Sequence, residues 1–155
     1  MARFTATIST PQSQDAVWRY LADLRAIGEW DPSVSAARLI EGEPGAVGTR
    51  YELDVGFLGR TVTLPYETVV SEPPHRIAFR AETAALSILD EAVVLSVPEG
   101  SSVTWDASLG LKGPRRLLEM PLQLAFGRLG RRAERGLRER LAVPRAAAAM
   151  EGALR

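Results

Sequence analysis

In the run SILDEAVVLSV two acids, Asp90 and Glu91, interrupt an otherwise apolar strand pattern. If Val93, Leu95 and Val97 face inward, a period of two turns Leu89 and Glu91 inward with them. A carboxylate inside an apolar cavity holds its proton to a higher pH than usual and can act as a general acid or base. Glu91 is therefore the candidate for that chemistry. The bland alternative is a bulge or strand edge that leaves both acids in water. Tyr51, Tyr66 and Trp105 each join an apolar body to a polar tip that can orient a ligand oxygen, and Phe79 offers apolar wall. Each has the alternative of an ordinary core aromatic with its polar atom satisfied. Trp30, in EWDPSV, either plugs the core or lines the mouth of a cavity. Asp31 before Pro32 suits the start of a turn.

Other chemistries find little support. The chain has no cysteine, so disulfides, thiolate nucleophiles and thiolate metal sites are excluded. His75 is the single histidine and sits in a Pro73-Pro74-His75 turn. One histidine without cysteine does not make a usual zinc site, and neither a metal nor a cofactor is expected. A Ser-His-Asp triad would have only His75 to use, and no GxSxG elbow exists. No GxxxxGK[ST] or GxGxxG loop is present to hold a nucleotide.

The formal net charge of zero hides a split. Residues 1–110 carry 8 Arg against 15 Asp and Glu, whereas residues 111–155 carry 11 Lys and Arg against 4 Glu. The arginines lie mostly on one side of a helical pattern, without interleaved aromatics. That favours a solvated face with pairs such as Glu134–Arg138 over a nucleic-acid site. A membrane or protein partner docked on this arginine face remains a further reading.

These side chains need elements to position them. RFTATISTP alternates as a strand with Phe4, Ala6 and Ile8 on one face. Thr10-Pro11 reads as a helix start, and Val17, Trp18, Leu21 and Leu24 give an apolar face for a helix at about 11–21. Asp23 caps a short second helix that Gly28 ends. Strands are expected near 34–41, 48–56, 60–71, 75–83, 86–97 and 102–111, separated by turn residues. Tyr51, Leu53 and Val55 share a face, as do Ile77, Phe79 and Ala81, and Val103, Trp105, Ala107, Leu109 and Leu111. Pro65 marks an edge or a bulge in the fourth strand and leaves the facing of Tyr66 open. A long amphipathic helix, roughly 114–142, is expected to bend at Pro121. Short connections make the sheet antiparallel, and its apolar face needs the last helix as a cover. The expected class is α+β: a curved sheet of about seven strands, in the order β-α-α-β6-α, wrapped on that helix around an internal cavity.

The order and the motifs resemble the START-like, helix-grip (SRPBCC) superfamily, in particular its polyketide cyclase/dehydrase and lipid-transport branch. The likeness rests on Ala16-Val17-Trp18 through Leu24, on Trp30-Asp31-Pro32, Gly48-Thr49-Arg50-Tyr51, Glu72 to Phe79, Glu99-Gly100 to Trp105, and the terminal helix. It implies a hydrophobic small molecule, lipid- or polyketide-like, bound between sheet and helix, or a cyclase, aromatase or dehydratase using the same space. With it, the expected cavity wall is Trp30, Tyr51, Leu53, Tyr66, Phe79, Glu91, Trp105, Leu118, Leu122 and Phe126. One domain over 1–143 with a tail over 144–155 is expected. MARFTATIST has no apolar h-region, so no signal peptide is expected and the cytoplasm is the default location. No run of roughly 18 apolar residues is long enough to span a membrane.

Overall fold

The computed structural model describes residues 1–142; the expected boundary at 143 and the tail lie outside the described residues. A seven-stranded antiparallel sheet forms the body, in the order β1-β7-β6-β5-β4-β3-β2. The strands are β1 (Ala2–Thr10), β2 (Val34–Glu41), β3 (Arg50–Phe57), β4 (Arg60–Glu72), β5 (Arg76–Glu82), β6 (Leu86–Val97) and β7 (Gly100–Leu111). Helix α1 (Gln14–Ala22) and a 3-10 turn (Leu24–Glu29) carry the chain from one sheet edge to the other. A second 3-10 turn (Gly113–Leu118) leads into α2 (Glu119–Ala142).

Local chemistry explains most boundaries. The Ser13 hydroxyl accepts from the Ala16 N–H and caps α1, so the helix starts three residues later than Pro11 suggested. Asp23 caps the 3-10 turn through the Arg25 N–H. Pro121 does not bend a long helix. It lies in the first turn of α2, where a missing N–H costs nothing, and the break falls before it at the 3-10 turn. Pro65 carries no bulge either. Pairing with β5 starts at Tyr66, so Pro65 stands where β4 leaves its second neighbour. The register shift of β4 lies between Thr68 and Val70.

Helix α2 covers the concave face unevenly. It lies along β1 and touches β7 little. Two glycines allow its close seat. A Cβ on Gly130 would meet the Phe4 ring at 2.3 Å, and one on Gly136 would meet the Trp30 carbonyl oxygen at 1.9 Å. Away from this seam the helix stands off the sheet. Val55, Leu86, Ile88, Ala107, Leu111 and Phe126 are only partly buried, although all of them line the space inside.

Candidate functional site

The space between sheet and α2 is a cavity of about 320 Å³. This is at the small end of the range for ligand pockets, roughly 300–1,000 Å³. Its walls come from the inward faces of β1, β3, β4, β6 and β7, from the segment Ile27–Val34, and from α2. Small residues keep it open: Ala6, Ala107 and Ala133 stand where larger side chains would fill it. Val62 and Arg115 line the cavity and are exposed, which places its mouth at the β3–β4 hairpin and the second 3-10 turn.

Six of the ten expected wall residues line this space: Trp30, Leu53, Tyr66, Trp105, Leu122 and Phe126. Trp30 and Trp105 meet edge-to-face with ring centroids 5.0 Å apart and planes at 76°. Trp30 is thus both core and wall: buried, with its ring against another wall residue. Tyr51 and Phe79 share the inward face but pack on each other, ring centroids 6.4 Å apart, and do not line the cavity. Leu118 is exposed on the second 3-10 turn, because the early helix break turns it outward.

Glu91 does not face inward. It lies on the outer face, where its carboxylate accepts from the Arg76 guanidinium at 2.6 Å. The parity of β6 is one residue off the expected one. The sequence of β6 is apolar on both faces, so alternation alone cannot choose between them. Register does. Directly paired residues share a face, and β6 pairs Val94 with Val103, Ala92 with Trp105 and Asp90 with Ala107. The inward face of β7 thereby sets Asp90 inward and leaves Leu89 and Leu95 exposed. The signal was in the turn: Val97 pairs with Gly100 across Pro98-Glu99, which fixes every later pair.

Asp90 gives the cavity a polar pole. It is buried, and its carboxyl is raised from 3.8 to about 7, first by burial and then by the nearby charge of Asp31. Burial raises Asp31 as well, while its Oδ1 accepts from the Ser33 N–H at 2.9 Å and hydroxyl at 2.7 Å. This is the turn expected of Asp31-Pro32, yet the acid also lines the cavity. The Tyr66 side chain lies against Asp90, and burial holds its phenol well above the ordinary value. Two acids and a phenol thus meet on walls that are mostly apolar. His75 stays in its exposed turn, where Nδ1 is 3.0 Å from Gln14 Nε2. Among the described residues no group of His, Asp and Glu is placed to hold a metal ion.

The sheet order, the gripping helix and the cavity define the START-like class. The profile of the family "Polyketide cyclase / dehydrase and lipid transport" matches residues 1–142, and the chain belongs to that family. Solved structures share the fold. A START superfamily protein from Mycobacterium smegmatis is 12% identical, with TM-score 0.75 over 91% of this chain and 97% of its own. The Zhui aromatase/cyclase from a Streptomyces species (strain R1128) is 15% identical, with TM-score 0.74 over 90% and 92%. The protein TTHA0849 from Thermus thermophilus is 22% identical, with TM-score 0.72 over 90% and 95%. No curated protein matches the chain significantly. Among the described residues no helix is long and apolar enough to cross a membrane.

Proposed function

We propose that this protein binds a small, mainly hydrophobic molecule between the sheet and α2, with the ligand's polar end at Asp90, Asp31 and Tyr66. The observation that carries this reading is the unfilled cavity itself, with mostly apolar walls and two acids and a phenol at one pole. Burying apolar ligand surface there contributes roughly 25 cal/mol per Å². Family membership supports the same reading. Native mass spectrometry of protein purified gently from its source organism tests it. A bound molecule of a few hundred daltons that is lost on denaturation is the expected result. Protein that arrives empty and takes up no apolar probe counts against it.

A second reading is acid–base catalysis on such a ligand, as in a polyketide cyclase or dehydratase. Asp90 favours it, because a carboxyl titrating at about 7 can both give and take a proton at neutral pH. Turnover that survives Asp90→Asn would remove this reading and leave the binding one standing.

A further inference from the structure

The polar pole has a composition that narrows the ligand's head group. Five side chains meet there: the carboxylates of Asp31 and Asp90, the phenol of Tyr66, and the indoles of Trp30 and Trp105. Among the described residues, the charges acting on Asp90 are Asp31 and Asp106, both acids. Among the described residues, Arg115 is the one basic lining side chain. It follows the end of β7, whereas Asp90 pairs with Ala107 in mid-strand. Four residues of strand, roughly 13 Å, separate Ala107 from Leu111 alone. The remaining charged wall residue, Glu134, is also an acid and pairs with Arg138 at 2.9 Å. The pole therefore offers two acids, a phenol and aromatic rings and, among the described residues, no cation.

A carboxylate or phosphate head would meet like charge in a site of low dielectric. A protonated amine would meet the opposite. It can donate to the carboxylates, and it is attracted to aromatic faces that exclude water. Resting on the cavity reading above, we infer that the ligand is an organic cation: an apolar body bearing an amine, held nitrogen-inward at Asp90 and Asp31. Its apolar part runs toward the mouth along Leu64, Ile88 and Leu122.

Three probes of matched chain separate head from tail: decylamine, decan-1-ol and decanoic acid, titrated calorimetrically below their micellar concentrations at about pH 7. Decylamine is expected to bind about tenfold or more tightly than decan-1-ol, and decanoic acid more weakly than either. Asp90→Asn is expected to erase the amine's advantage, with the amine losing far more affinity than decan-1-ol. A second readout uses the unaltered protein. Amine binding should release protons from the pole, seen as a dependence of the heat on the buffer's ionisation enthalpy, and alcohol binding should not. Equal binding of amine and alcohol, or an advantage that persists in Asp90→Asn, overturns the cation assignment and leaves the cavity reading intact. Amine binding without proton release overturns it equally. Failure of all three probes overturns both.

Discussion

Asp90 on β6 faces Ala107 on β7 across the hairpin, and this pairing turns its carboxyl into the cavity and Glu91 out of it. The choice of which β6 acid enters the site follows from that register. A shift by one residue would bury Glu91 instead and set Asp90 on the outer surface.

Asp90 gives stability a pH dependence of defined sign. In the unfolded chain its carboxyl ionises near 3.8, and in the folded protein at about 7. Between these values the folded state holds the extra proton, so stability falls as pH rises through the window and levels off above it. The effect is on the order of 4 kcal/mol at most. Asp31, raised by burial, tilts the same way. Asp54, held down to about 2 by hydrogen bonds from Arg38 and then Thr63, acts with the opposite sign below that window. Urea unfolding at about pH 5 and about pH 8 should show a loss in the wild type and a clearly smaller one in Asp90→Asn. Equal slopes would contradict the assignment.

Glu91 was the acid that alternation pointed to, and its replacement should matter little. Its pair with Arg76 is partly exposed, and such pairs contribute about 0–1 kcal/mol. Glu91→Gln is expected to lose no more than that and to leave probe binding unchanged. A large loss of binding would put Glu91 back in the site.

The two kinds of helix glycine should respond with opposite signs. Gly136→Ala forces a Cβ into the Trp30 carbonyl, a backbone atom that cannot swing aside. Overpacking of this kind costs about 1–3 kcal/mol, more than the helix gains from losing a glycine. Gly127→Ala meets only the Arg131 guanidinium, at 3.5 Å, and should stabilise by about 0.5–1 kcal/mol. Thermal midpoints of the two variants, one down and one up, would verify the seam between α2 and the Trp30 segment.

Much of the fold was legible because its strands carry one-sided patterns. Tyr51, Leu53 and Val55, or Val103, Trp105 and Ala107, alternate with polar neighbours and could be faced from sequence. β6 could not, since Leu89, Val93 and Leu95 put apolar residues on the outer face as well. The site was less legible than the fold for a related reason. A cavity is where packing stops, and alternation marks a residue as inward without saying whether another side chain meets it. Tyr51 and Leu53 have the same signature, yet one packs in the core and the other lines the open space. Asp31 looked like a turn residue, and it is one; its second role depends on where the 3-10 turn lies against the sheet.

The cavity is the proposed binding site, and filling it is the most direct test. Ala107 lines the cavity beside the polar pole, and its methyl side chain has no polar atom of its own. Calorimetric titration with decan-1-ol should give one molecule bound per wild-type chain, with the negative heat-capacity change of apolar burial. Ala107→Phe should bind about tenfold or more weakly, with an unchanged or raised thermal midpoint. Binding equal in both proteins, or absent from the wild type, would contradict the account.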